Sequence, residues 1–352
     1  MDMLTRLDAD TAALRLRMQQ QTRQMSTGLR SDLLGDLAGQ LPRLLDLRAE
    51  IARRDAYTQS IGQALARTQA TQTALARLSE IAREFGNDVA MKLDANDPES
   101  IPLMAERAKL ALVEVGQLLN TRSNGEYLFA GSDFANPPVP DPNGLPGSSF
   151  ATRIASAVSS LGGGNAAAVA ADTMAALLDD SAGNSPFSPF LQAGGAGLAE
   201  GQRTAPSGEG VQTAFGIIAN RNGAAVSQGE TSGAWALDLL RGLASIAALT
   251  PAQAADRTDF RDLSIAIREG LRSAAGALAD ESGALGLAEQ RLEASRTRQQ
   301  TMRDALESQV ADIQEVDLAA TLTRLKATQT TLEASYTALG RLGELSLARY
   351  LA

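Results

Sequence analysis

The sequence predicts a mainly α protein: a long antiparallel helical rod, coiled-coil-like, with its N- and C-terminal segments paired and a small mixed α/β domain inserted in the middle. Three observations carry this. Of 352 residues, 44% are hydrophobic but only 4% aromatic, an excess of Ala and Leu that suits long helices better than sheets. Proline is absent from Arg43 to Asp97 and from Ala252 onward, while Pro137, Pro138, Pro140, Pro142, Pro146, Pro186, Pro189 and Pro206 fall between, so the flanks are free to be helical and the middle is not. In both flanks, apolar residues recur at steps of three and four.

The first flank opens on a seam of Leu4, Leu7, Thr11, Leu14, Met18, Gln21 and Met25, a coiled-coil pattern diluted by Thr and Gln. "STGLRSD" (Ser26–Asp32) breaks it. The seam resumes at Leu44, Leu47, Ile51, Ile61, Leu65 and Leu75, then shifts phase onto Leu78, Ile81, Phe85 and Val89, a stutter that alters supercoil without ending the helix. "NDPES" starts a third helix, with Asp97 as cap and Pro98 at its first position. Ile101, Met104, Ala108, Ala111, Val115 and Leu118 form its stripe.

Asn124-Gly125 is a two-residue hairpin signal, since both residues tolerate positive φ. Tyr127 and Phe129 then share one side of a short strand, placed to seal the end of the bundle. The Gly-, Pro- and Ser-rich middle reads as helices near Ser149–Leu161 and Ala166–Asp179. Strands are expected near Gly210–Ala219 and Ala224–Ser227, with "NRNG" (Asn220–Gly223) as their turn. The second flank begins with an amphipathic helix at Gly233–Leu249, headed by Trp235 as a core anchor. A helix follows from about Thr258 to Ala311, with Leu285, Leu292, Met302 and Leu306 on a sparse stripe. The last helix is the most regular, through Leu318, Leu322, Leu325, Gln329, Leu332, Tyr336 and Leu339, and Asp317 can cap it. The expected domains are 1–42, an N-terminal assembly helix; 43–132, the outgoing half of the rod with its hairpin; 133–233, a projecting mixed domain; 234–316, the returning half; and 317–352, a C-terminal assembly helix.

Composition excludes much chemistry. With no Cys and no His, there are no thiolate or imidazole ligands, no Cys nucleophile, no disulfide and not the commonest general base. The net charge of -9 with a pI of about 4.8 suits neither nucleic acid nor anionic membranes. The N-terminus lacks the apolar core of a cleaved signal peptide, and no segment is long and apolar enough to cross a bilayer. "LGGGN" and "AGGAGLAEG" give neither GxGxxG in register nor a Gly-Lys pair, and read as loops. Asp312, Glu315 and Asp317 do not have calcium-loop spacing and read as carboxylates flanking a helix start. No enzyme, cofactor or metal is expected.

An isolated helix with one apolar stripe buries nothing and is marginal in water. The stripes of Leu4, Leu7, Leu14, Met18 and Met25 and of Leu318, Leu322, Leu325, Leu332, Tyr336 and Leu339 therefore need each other, and a pair of helices still leaves faces uncovered. An intramolecular bundle and an assembly seam satisfy this equally.

Both termini resemble the flagellin superfamily. "QMSTGLRSD" is similar to that family's element after the first helix, and "VADIQEVDLAATLTRLKATQTTLEASYTALGRLGELSLARYL" to its C-terminal element and last helix. "NGEYLFAGSD" resembles a stretch of hook-associated proteins of the FlgL type, the junction proteins between hook and filament. After "STGLRSD" the chain departs from the family's Asp-rich continuation and reads "LLGDLAG". The resemblance implies a structural subunit exported unfolded through the flagellar type III apparatus without a cleaved signal peptide, with an extracellular place on the flagellum. It implies assembly through the terminal helices, and as partners the preceding hook-associated junction protein, flagellin, further copies of itself in a ring, and a flagellar export chaperone. Filament flagellin and a cytoplasmic coiled-coil scaffold are the alternatives.

Overall fold

The computed structural model of the chain describes residues 3–31, 39–93, 97–181, 183–192, 195–220 and 231–350, without the side chains of 3–5, 7, 198 and 342–350. The fold is mainly α. Two compact units divide the chain, one of Met1–Ala56 with Arg298–Ala352 and one of Tyr57–Thr297.

In the first unit, α1 (Met3–Thr27) is followed by the start of α2 (Leu41–Asp88). The C-terminal part of α7 (Arg257–Gln314) leads to α8 (Leu318–Tyr350). Helix α1 stops because Gly28 takes φ +74, a left-handed conformation that glycine adopts without a Cβ penalty. Its N–H still donates to the Gln24 carbonyl at 2.8 Å. Helix α8 starts where Asp317 accepts from the Ala320 N–H at 3.0 Å. The α2 and α7 portions run antiparallel: Asp55 meets Arg303 at 3.0 Å, and Arg43 reaches Gln309 at 3.5 Å. Leu44, Leu47 and Ile313 are buried here.

In the second unit, α2 buries Ile61, Leu65 and Leu75, then Leu78, Ile81, Phe85 and Val89, following the phase shift in the sequence. It ends in one π-helical turn, Val89–Leu93. Asp97 then accepts from the Glu99 N–H at 3.2 Å, and a short 3-10 turn at Pro98–Ser100 leads into α3 (Ile101–Leu119). Gly116 of α3 leaves no room for a Cβ, which would sit 2.7 Å from Leu145 Cδ1 and 2.9 Å from Pro142 Cβ. The proline-rich segment therefore lies directly on that helix. The opposite partner of α2 is again α7, where Gln72 Nε2 donates to the Ser282 carbonyl at 2.8 Å.

Between these come the antiparallel pair β1 (Arg122–Ser123) and β2 (Glu126–Tyr127), α4 (Ser149–Ser159) and α5 (Ala166–Leu177). A second pair, β3 (Thr204–Gly208) with β4 (Val211–Ala214), and α6 (Trp235–Ala247) complete the unit. Helix α6 packs on α3, α4 and α5 and is buried along almost its whole length, beginning with Trp235.

The sequence places one strand of this region within Gly210–Ala219 and misses its partner. β4 covers only part of Gly210–Ala219 and pairs backward with β3, through a turn in which Gly210 takes φ +65. The reason is Pro206, which argues against a strand. In a two-stranded ribbon both strands are edges, so Pro206 can sit opposite Gln212, and the register shifts between it and Gly208. Ala224–Ser227 and most of the expected "NRNG" turn lie outside the described residues. Met302, placed on the α7 stripe with Leu285 and Leu292, is 50% exposed while those two are buried.

The glycines of "LGGGN" have a defined structure. Gly162, Gly163 and Gly164 all take positive φ, and the N–H groups of Gly164 and Asn165 donate to the buried carboxylate of Asp259 at 2.7 and 3.3 Å. A run of such backbone donors forms an anion-binding concavity, and here the first turn of α7 supplies the anion.

Candidate assembly surface

Helices α1 and α8 pack against each other within the first unit. Thr11 and Leu332 are buried. Leu14, Met18, Met25, Leu325 and Leu339 are half-buried. Leu318, Leu322 and Tyr336 remain 48%, 40% and 42% exposed. Leu4 and Leu7 lie outside the described side chains. The sequence stripe omits Leu16, which is 66% exposed. It falls off the three-four repeat, and only its size against its exposure marks it. Arg15 covers part of Tyr336: its Nε donates to the phenol oxygen at 2.5 Å, and its guanidinium carbon lies 5.3 Å from the ring centroid. Isolated exposed leucines are ordinary; several on one thin helix pair form a surface that association can cover.

The two helix breaks beside this pair are joined. Leu29 and Glu315 form an antiparallel β-bridge. The Arg30 N–H donates to the Gln314 carbonyl at 2.7 Å, and the Val316 N–H to the Gly28 carbonyl at 2.9 Å. Arg30 Nε adds a bond to the Glu315 carbonyl at 2.9 Å. Glu315 thus acts here through its backbone. Among the described residues, no group of three or more metal-ligating side chains is gathered, and no helix is long and apolar enough to cross a membrane.

In the second unit, Asn124 (φ 52) and Gly125 (φ 84) form the turn of the β1–β2 hairpin. Tyr127 is half-buried, with the Arg122 guanidinium 4.9 Å from its ring centroid. Phe129 lies beyond the two-residue strand and is fully buried, edge-on to Trp235 at 6.3 Å between centroids. The two rings therefore do different things: Tyr127 stays on the hairpin surface while Phe129 enters the core. Glu126 binds both Arg67 and Arg203. Burial pushes the Glu126 carboxyl up, but the hydrogen bond and charge of Arg203, with those of Arg67, outweigh this and hold it below the usual carboxylate range. Burial, and then the charge of Arg203, lower Arg67.

The helices that carry these features are also the ones that family comparison recognises. The bacterial flagellin N-terminal helical region matches residues 6–133, and the bacterial flagellin C-terminal helical region matches residues 269–351. The chain belongs to the flagellin superfamily. Comparison with curated proteins finds no match. Flagellin-superfamily chains are structural subunits of the extracellular bacterial flagellum that polymerise with their own kind, and this chain is such a structural subunit. The matched stretches take in α1 to β2 on one side and most of α7 with α8 on the other. Helices α4 to α6 and the β3–β4 ribbon fall in the unmatched segment between them.

Proposed function

We propose that this flagellin-superfamily subunit forms the junction between hook and filament, assembling as a ring through α1 and α8 without catalysis. The observation that supports assembly is the exposure of Leu16, Leu318, Leu322 and Tyr336 on the α1–α8 pair. The place at the junction, rather than along the filament, is supported by the resemblance of "NGEYLFAGSD" to hook-associated proteins. On this reading, 1–42 and 317–352 are the assembly segments, 43–132 and 234–316 the two halves of the supporting rod, and 133–233 the projecting domain. Asn124, Gly125, Tyr127 and Phe129 close the rod where the projecting domain begins. The partners are the preceding hook-associated protein on one side, flagellin on the other, further copies laterally, and an export chaperone before secretion.

Filament flagellin is the second reading, because both family models describe flagellin itself. A tag in the projecting domain, detected on isolated flagella by immuno-electron microscopy, separates the readings. One narrow band between hook and filament is expected. Label along the whole filament identifies a flagellin, and retention in cells with no label on flagella sinks both.

A further inference from the structure

The second unit contains a cavity of about 170 Å³ that assembly does not explain. Its apolar wall is Leu128, Phe215, Ile217 and Ile218, and Arg67 and Arg203 lie in the same lining. A cavity of about 150 Å³ suffices to hold benzene, so the space accepts one ring or a short branched chain and little more. Arg67, Arg203 and Phe215 also line a neighbouring cleft of about 360 Å³ with Gln63 and Glu126. The two guanidinium groups thus stand between an apolar space and a polar one.

A single acid is paired directly with the two of them. Both bind one carboxylate, Glu126, and one oxygen of it, Oε2. Arg67 has a side chain only 10% exposed, so water offsets little of its charge. Its other terminal nitrogen reaches the Tyr127 carbonyl at 3.4 Å. Arg203, 38% exposed along its side chain, spends one terminal nitrogen on Glu126 at 2.9 Å and lies over the exposed Phe134 ring at 5.7 Å. Among the described residues, its remaining N–H groups donate to no protein acceptor. The acid in the cavity's own lining is Glu200, tied to the N–H of Ser132 at 3.0 Å and to its hydroxyl. A guanidinium with free donors beside an apolar pocket suits a carboxylate, which it binds through paired N–H groups. Small-molecule sites commonly combine a mostly apolar lining with a few convergent polar groups.

We propose that this cavity binds a small monocarboxylate with a compact apolar body, an aromatic or branched-chain acid, its carboxylate on Arg203 beside Arg67 and its hydrocarbon against Leu128, Ile217 and Ile218. The site lies wholly within the second unit and is independent of how the terminal helices assemble.

The test is a titration of the full chain, methyl-labelled at Ile and Leu, with benzoate, benzyl alcohol and benzylamine, followed by NMR. Benzoate is expected to give saturable shifts at Ile217, Ile218 and Leu128 at millimolar concentration or below. Benzyl alcohol should bind about tenfold more weakly or less, the loss of one charge-assisted pair, and benzylamine not at all. R203Q should lower benzoate affinity by about tenfold, with R203K recovering part of it. Equal binding of the alcohol reduces the site to an apolar hole, and preferred binding of benzylamine makes Glu200 the anchor; either overturns the proposal, as does absence of saturable shifts with benzoate. The comparison of three ligands on the unaltered chain decides the matter even where a variant is unstable.

Discussion

Leu29 and Glu315 face each other across an antiparallel β-bridge, so the break between α1 and α2 is fastened to the break between α7 and α8. Gly28 makes the bridge geometrically available: it ends α1 at φ +74 and presents its carbonyl to the Val316 N–H. A Cβ at position 28 meets no neighbour within 4 Å, so the cost of a side chain there is conformational and not steric crowding. Gly28→Ala is expected to destabilise the joint by about 1–2 kcal/mol, raising amide exchange at Leu29–Ser31 and Glu315–Val316 while leaving the second unit's protection unchanged. Equal protection in both proteins would show that the bridge does not depend on this residue.

Phe129 and Tyr127 separate experimentally. Phe129 is fully buried against Trp235, and its truncation should cost about 3–5 kcal/mol. Tyr127, half-buried under Arg122, should cost about 1 kcal/mol or less. Trp235 is the chain's only tryptophan, so urea denaturation followed by its fluorescence reads the second unit directly. Similar losses for Phe129→Ala and Tyr127→Ala would mean that both rings seal one core.

The Arg67–Glu126–Arg203 group should make stability depend on acid pH. The folded pKa of Glu126 is held below its unfolded value. Its contribution is therefore complete above the unfolded carboxylate pKa and disappears as pH falls through the folded one. Glu126→Gln should lower stability near neutrality by about 1–2 kcal/mol, a buried-pair value reduced for partial exposure, and should flatten the acid limb of the curve. Asp238 runs the opposite way. Burial raises its pKa against the bonds from Thr231 and Ser232, so it costs stability as pH rises from its unfolded to its folded pKa. A Glu126→Gln protein with an unchanged acid limb would remove Glu126 as the source.

Asp259 and the glycine run form a third separable element. Its carboxylate accepts from Gly164 and Asn165 while 3% exposed. Asp259→Ala leaves those donors unpaired, which should cost about 1–3 kcal/mol, with exchange rising first at Gly163–Asn165. A stable, protected loop in that variant would show that the glycines hold their shape unaided.

Legibility in the sequence followed the range of the interaction. Periodicity placed α2 and α3 because each buries a regular stripe, and the π-turn that ends α2 at Val89–Leu93 closely follows the shifted one. Asp97, Asp317 and Asn124-Gly125 were readable because capping and turn chemistry are local. The β3–β4 ribbon was not, since Pro206 counts against a strand unless its edge position is known. The Asp259 nest and the Arg67–Glu126–Arg203 group were hidden for another reason: each joins residues distant in the chain that carry no shared motif. Leu16 shows the limit of pattern reading at the candidate surface: periodicity picked out the exposed Leu318, Leu322 and Tyr336, but a leucine off the repeat carries no such signal.

The assembly reading rests on that exposure. Leu16 is mostly in water, and Leu318 and Leu322 are 48% and 40% exposed, so each leaves apolar area uncovered in the isolated chain, and full burial of a leucine gains about 1.5–3 kcal/mol. Leu322→Asp should therefore cost the unassembled chain only about 1 kcal/mol, yet abolish incorporation into flagella, since each copy would have to bury a charge. Leu332→Asp should behave differently: Leu332 is buried between helices of the same chain, and its substitution should loosen the α1–α8 pair in the monomer. Secretion and incorporation are read together in a motile strain, with the protein in the medium distinguished from that on isolated filaments. Secreted but unincorporated Leu322→Asp, alongside a destabilised Leu332→Asp, is the expected pair of results. Normal incorporation of Leu322→Asp would move the assembly surface off this face of α8.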